Sequence, residues 1–560
     1  LDGLRVDHPD GLRDPRQYLD RLRALAPRAW IIVEKILQPR EEMPEDWPVE
    51  GTVGYDALNQ VNGIFVQTKN EKALLDFYSD FTGETSDFGK TVREKKILVL
   101  ESLFVTEVNR LADLLAQIAK RRAGHREFSR EQLREALVEF AACFPVYRTY
   151  TRPDAVNVPD SIYIKSAWSK AARARRDLPK GIFELIRGLL LLTLHGELEL
   201  EFVARFQQLT AAAMAKGVED TTFYCLNHFV SLNEVGGDPG RFGVTTEEFH
   251  NFCRRQQERG GGSMLGSSTH DTKRSEDVRA RLNVLSEIPG EWSQAVLRWA
   301  KINERHRQNH FPDRNAEYLL YQTLVGAWPI SLERLLAYME KASCEAKQHT
   351  DWNHRNSQYD QALREFVTGC LADRDFIQDL EQFLALISEA AHINGLAQTL
   401  IKLTAPGVPD IYQGNEIPEF SLVDPDNRRP VDFEARKRML AAARTMGAEE
   451  SWKRRDEGLA KIWLIQKTLM CRARLQAVFS ADYQPLSATG ENAGRVVAFV
   501  RGGKAITVIS RFNRGRSGGM PGLLLPKGLW RNEFTGDICM GEVAAAKLFR
   551  KFPVGLLVQE

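Results

Sequence analysis

The chain has 560 residues, of which 43% are hydrophobic, with 76 basic against 75 acidic side chains and a net charge of +1. That length is too great for one hydrophobic core and points to roughly two to four domains. The balanced charge excludes the basic excess or stripe that a nucleic-acid or anionic-membrane partner requires.

At the start, Gly3–Asp7 and Trp30–Glu34 are short, almost wholly apolar runs, the pattern of parallel strands buried on both faces. Between them Tyr18, Leu19, Leu22 and Leu25 recur at helical spacing, and residues 51–56 offer a third strand. This is a strand-helix-strand rhythm. From residue 67 to 258 the pattern becomes one of long helices, including Ser129-x-x-Gln132 as a capping box ahead of Leu133, Leu137 and Phe140. Gly260-Gly261-Gly262 forms a turn, not a phosphate cradle, and leads back to strand character at Met264–His270. Residues 300–395 are helical again, with Trp328 and Trp352 expected in the core. From about residue 476 the period is two: Val496–Val500, a Gly502-Gly503 turn, then Ala505–Ile509. That predicts a C-terminal antiparallel β domain.

Two of the early strands end in an acid. Asp7 follows Leu4-Arg5-Val6, and Glu34 follows Ile31-Ile32-Val33. A carboxylate at the C-terminal end of a barrel strand faces the catalytic rim. A pair of them is what retaining glycoside chemistry uses, one as nucleophile and one as acid/base. Taken alone, each acid is more often a salt-bridged strand terminus. Taken together, and with the His270-Asp271 pair after a small-residue stretch, they read as a site. Arg5, on the same strand face as Asp7, is placed to keep it ionised. Lys216, Glu219 and Asp220 are candidate sugar contacts, although an ion cluster at a helix start explains them nearly as well. Asn233 and Glu234 share that ambiguity, and Tyr412 and Glu416 read mainly as loop-packing residues. No P-loop, dinucleotide fingerprint or metal-ligand cluster is visible, so no metal or cofactor is expected.

Several longer segments carry a resemblance. Asp7-His8-Pro9-Asp10-Gly11-Leu12, Ala215-Lys216-Gly217-Val218-Glu219-Asp220-Thr221, Ser231–Pro239 and Thr269–Arg281 are similar to the maltooligosyltrehalose synthase branch of the α-amylase family. Residues 404–416 likewise resemble that family's last barrel strand and loop. The likeness runs through nearly the whole chain. It implies a (β/α)8 barrel with large helical insertions and a C-terminal antiparallel β domain. The expected segments are 1–66 (barrel), 67–258 (helical insertion), 259–299 (barrel), 300–395 (helical insertion), 396–475 (barrel) and 476–560 (β domain).

The resemblance also implies roles. Asp7 would be the nucleophile, Glu34 the acid/base and Asp271 the stabiliser of an oxocarbenium-like transition state. Arg5, His8, His270, Lys216, Glu219 and Asp220 would bind substrate. The reaction would isomerise the reducing-end α-1,4 linkage of a maltooligosaccharide or α-glucan to α,α-1,1. The family's barrel has strands, and an Asp-x-x-x-x-Asn-His motif, ahead of the nucleophile's strand. This chain is therefore expected to be the C-terminal portion of a longer enzyme, with the missing N-terminal segment as a partner and negligible activity alone. An α-glucan hydrolase or 4-α-glucanotransferase using the same groups, and a non-catalytic glucan-binding remnant, stay open as alternatives.

Seven scattered cysteines without a Cys-x-x-Cys pair form neither a disulfide framework nor a zinc pattern. The longest aliphatic run, Leu189 to Leu194, is far short of a membrane span. A soluble cytoplasmic protein is expected.

Overall fold

The computed structural model describes residues 2–122, 124–514 and 519–560. It is a helix-rich α/β chain that divides into two compact units, one built from residues 1–52, 87–226 and 345–348 and one from 53–86, 227–344 and 349–560.

In the first unit, β1 (Gly3–Val6), β2 (Trp30–Val33) and β3 (Gly51–Thr52) form a parallel sheet in the order β1-β2-β3. Ile31 and Val33 are fully buried and Ile32 nearly so, which is why this strand carries no polar alternation. The crossover from β1 to β2 is the helix Pro15–Leu25. Its Asp14 N-cap accepts from Gln17 N–H and Pro15 at its first position has no N–H to leave free, so two of the first turn's unsatisfied donors are dealt with. The rest of the unit is a bundle whose helices include Val105–Lys120, Arg130–Ala142, Lys180–Leu190 and Glu197–Met214. They close around Leu111, Leu137, Phe140, Ile186 and Phe206. The expected capping box is present, with Ser129 and Gln132 each satisfying the other's backbone N–H. Glu197–Met214 then runs into a π-helical turn, Ala215–Thr222, a distortion common at functional positions.

In the second unit, β4 (Met264–Leu265) and β5 (Val408–Pro409) pair in parallel. Gly54, at φ 97°, lies against β4, where an added Cβ would stand 2.5 Å from Met264 O. Only glycine fits both the conformation and the approach. The helix Arg374–Thr404 packs with Leu459–Arg474 in a core holding Leu400, Trp463 and Phe552.

The C-terminal region is antiparallel, as the period-two pattern predicts. Its strands are β6 (Tyr483–Leu486), β7 (Ala488–Thr489), β8 (Val496–Arg501), β9 (Ala505–Ser510), β10 (Gly522–Leu524), β11 (Trp530–Asn532), β12 (Ile538–Cys539), β13 (Glu542–Ala544) and β14 (Val554–Gln559). Six make one sheet in the order β12-β11-β14-β9-β8-β6, and three make another, β13-β10-β7. Gly502 and Gly503 turn the β8–β9 hairpin with φ of 52° and 63°. One expectation fails: Trp328 is only half-buried, and Trp352 is 53% exposed rather than core. It lies between the helices Leu332–Ala346 and Ser357–Ala372, with the Arg355 guanidinium over its ring. Among the described residues no helix is long and apolar enough to cross a membrane.

Candidate active site

Parallel register sets the first part of the site. Val6 pairs with Val33, so Asp7 and Glu34 are the next residues out of adjacent strands, and Glu34 N–H still donates to Val6 O at 2.9 Å. Arg5 Nη1 donates to Asp7 Oδ1 at 2.7 Å, and its Nη2 lies 3.4 Å from Glu34 Oε1. The backbone N–H of His8 donates to Glu34 Oε2 at 2.9 Å, and His8 holds the left-handed conformation (φ 41°) that aims it there. Four expected site residues are thus brought together by two strand ends.

The two acids differ in setting. The Asp7 side chain is 72% exposed, that of Glu34 16%. The hydrogen bond from Arg5 holds the Asp7 carboxyl below the usual carboxylate range. Partial burial opposes this, while a hydrogen bond with the Glu34 side chain and the charges of Arg5 and His8 add to it. Glu34 itself accepts from the His8 N–H and stands near the Arg5 guanidinium, so both carboxyls are held by donors of the same two strand ends. Two carboxyls on neighbouring strand ends, one exposed and one mostly buried, are groups that acid-assisted displacement can use.

Behind the pair sits Lys35, whose ammonium is fully buried. It lies 2.8 Å from Glu41 Oε1 and 3.3 Å from Asp10 Oδ2 and donates to Ile36 O at 3.0 Å. Burial alone would lower Lys35, but the charges of Asp10 and Glu41 outweigh it and hold the ammonium above its ordinary value. Tyr150 OH also donates to Asp10. The same ammonium stands over the Tyr147 ring, and Tyr147 OH donates to Glu219. Glu219 therefore has a buried structural partner. Lys216 and Asp220 pair with each other at 2.7 Å along the π-helical turn, with Lys216 half-exposed.

The second unit presents His270 and Asp271 on the loop after β4. His270 Nε2 lies 3.0 Å from Asp271 Oδ2. Tyr55 OH donates to Asp271 Oδ2 at 3.3 Å, and Asp271 N–H donates to Thr269 Oγ1 at 3.1 Å. Asn427, which the sequence reading missed, and Glu234 shape this loop. Asn427 Nδ2 donates to the carbonyls of Thr269 (3.4 Å), His270 (3.0 Å) and Thr272 (3.2 Å). Glu234, fully buried, accepts from the N–H groups of Lys273 and Arg274 and from Arg279 Nη1. Glu234 was weighed only as an ambiguous sugar contact. The Arg279 at the far end of the same motif is its counter-charge, a pairing that spacing alone does not reveal. Tyr412 and Glu416 do pack their loop, Tyr412 OH donating to Asn427 O and Glu416 accepting from Arg436.

No protein-family model matches the sequence. A Mycobacterium tuberculosis protein named "Putative maltooligosyl trehalose synthase" is 34% identical over 572 aligned positions, which span 100% of this chain and 69% of that protein. Among solved structures, maltooligosyltrehalose synthase from Arthrobacter ramosus superposes with a TM-score of 0.86 at 35% identity, covering 100% of this chain and 70% of that one. A mutant of that enzyme gives 0.90 at 36% identity with the same coverage. A hypothetical maltooligosyl trehalose synthase from Sulfolobus tokodaii gives 0.79 at 30%, again with 100% and 70% covered.

Proposed function

Because this chain belongs to the maltooligosyltrehalose synthase family, we propose that it carries that family's isomerisation, converting the terminal α-1,4 linkage of a maltooligosaccharide to α,α-1,1. The observation that carries the reading is the Arg5–Asp7–Glu34 arrangement, two carboxyls on neighbouring strand ends with Arg5 between them holding Asp7 ionised.

We assign Asp7 as nucleophile on the anomeric carbon. Arg5 holds it ionised until attack. Glu34 gives its proton to the departing glycosidic oxygen and then takes one from the incoming anomeric hydroxyl. Asp271 faces the positive charge that develops on the sugar ring, and His270, paired with it, donates to a sugar hydroxyl. His8, Lys216, Glu219 and Asp220 are assigned to substrate, with Glu219 held in place by Tyr147. The barrel assignment of residues 1–66, 259–299 and 396–475, with helical insertions between, belongs to the same proposal; the parallel β1-β2-β3 and β4-β5 pairings support it. The seven cysteines are all buried and unbridged, in keeping with action in a reducing cytoplasm.

One observation favours a second reading, hydrolysis or transfer to another glucan. Asp7 is open to solvent, and water competes for a glycosyl intermediate unless the site excludes it. Incubation with maltopentaose separates the readings. Non-reducing trehalosyl products support isomerisation. Glucose and shorter reducing maltooligosaccharides support hydrolysis or transfer. Neither product, with intact glucan binding, overturns both.

A further inference from the structure

The second unit contains a cavity of about 190 Å³ whose lining includes none of the acids assigned to the glucan chemistry. Its floor is the helix Glu276–Asn283 and its sides are the helices Arg374–Thr404 and Leu459–Arg474, with Trp328, Leu384, Leu396 and Phe420 supplying most of the wall. Three cationic side chains line it: Arg281, Arg455 and Lys461. Lys461 is neutralised by Glu276 and Asp277, at 2.6 Å each. The two arginines are not. Among the described residues neither Arg281 nor Arg455 has a carboxylate within ion-pair distance. Arg281 Nη1 donates to Trp328 O at 2.6 Å, and its guanidinium carbon stands over Phe420, 4.0 Å from the ring centre. Arg455 donates to Trp452 O, while its Nε is buried without a partner. The lining His392 pairs with Asp456, and burial lowers its proton affinity, so it adds no lasting charge.

Capping of the helix Arg314–Ala327 accounts for Arg281 in part, since Lys or Arg at a helix end serves its free carbonyls. It does not account for a second unneutralised arginine on the same cavity, or for the orphaned Nε. Both arginines are half-buried, and partial removal from water lowers the affinity of Arg281 for its proton, to about 10, with the Asp277 charge opposing it. A guanidinium presents its donors as a planar fork matched to a carboxylate. The apolar walls fit the remainder of a small ligand better than they fit water.

We propose that this cavity binds a small organic carboxylate with a compact apolar body, its carboxylate on Arg281 and Arg455 and its body against Trp328, Phe420 and Leu396. The assignment is independent of the glucan chemistry, so the two stand or fall separately.

Isothermal titration of the full chain with benzoate tests it. Saturable 1:1 binding is expected, weakened about tenfold or more in Arg281→Gln and in Arg455→Gln, where a charge-assisted pair is lost. Benzyl alcohol, which lacks the charge, should give no saturable signal. Arg455 is partly exposed, so its variant keeps the test informative if Arg281→Gln fails to fold; circular dichroism checks both. No saturable benzoate binding up to about 10 mM, beyond the weakest useful range, overturns the site. So does binding that both variants leave unchanged, and so does inorganic phosphate binding as tightly as benzoate.

Discussion

The Lys35 ammonium lies 3.3 Å from Asp10 Oδ2 with both side chains sealed from solvent, and it ties the loop after β2, which begins at Glu34, to the loop after β1, which begins at Asp7. Because Glu41 stands 2.8 Å from the same nitrogen, one cation holds two buried anions. Removing a single partner from such a group leaves uncompensated charge, a cost of about 3–5 kcal/mol. Lys35→Met should therefore lower the unfolding free energy, read from urea titration, by an amount of that order. A triple change that also makes Asp10→Asn and Glu41→Gln should recover much of it. A Lys35→Met protein as stable as the parent would show that the two carboxyls are neutral in the native state.

Asp7 and Glu34 are separated by what each exchanges. Asp7→Asn removes the nucleophile, so turnover should vanish while maltopentaose still binds. Glu34→Gln removes only the proton donor, a contribution of about 10²–10⁴ in rate. Its loss should shrink on an α-maltosyl fluoride, whose leaving group needs no proton. Parent-like rates on maltopentaose in either variant would show the roles are misplaced.

Much of this was legible in the sequence, and for identifiable reasons. The apolar run ending in Glu34 marks a strand buried on both faces, whereas β1, which leads to Asp7, keeps Arg5 exposed and Gly3 and Leu4 half-buried; in both, the strand ends fix where the next side chains go. The Ser129–Gln132 box and the Gly502-Gly503 turn are local signals that the surrounding fold had no cause to override. What stayed hidden is non-local. Lys35 reads as a solvated charge until Asp10, Glu41 and Tyr150 close over it. Asn427 lies 157 residues from the His270 carbonyl it holds. Trp352 was misplaced because hydrophobicity says nothing about whether a loop or a helix face presents a ring.

Asn427 makes a testable case. Its amide is donor to three carbonyls of the His270–Asp271 loop, and buried carbonyls left unpaired cost about 1–3 kcal/mol. Asn427→Ala should destabilise the protein within that range. It should also lower kcat more than it raises KM, because the loop's set, rather than a sugar contact, is lost. Asn427→Asp keeps the shape but not the donor and should behave like the alanine variant. A change confined to KM would instead mark Asn427 as a direct substrate contact.

His228 gives the second unit a predictable acid sensitivity. It is 1% exposed, its Nδ1 has no partner, and burial lowers its pKa from 6.5 to about 4. Between those values the unfolded chain binds a proton that the folded one refuses, so stability rises with pH there. The contribution is complete above pH 6.5 and is lost as pH falls through 4. The full difference is about 3 kcal/mol, of which about 2 kcal/mol disappears between pH 7 and pH 5. Urea titrations at those two pH values should show the parent losing about 2 kcal/mol more than His228→Gln, which cannot titrate. His250, also lowered to about 4 by burial, is intact in both proteins and cancels from the comparison. Equal losses in parent and variant would mean that His228 is already protonated, or already hydrated, in the native state.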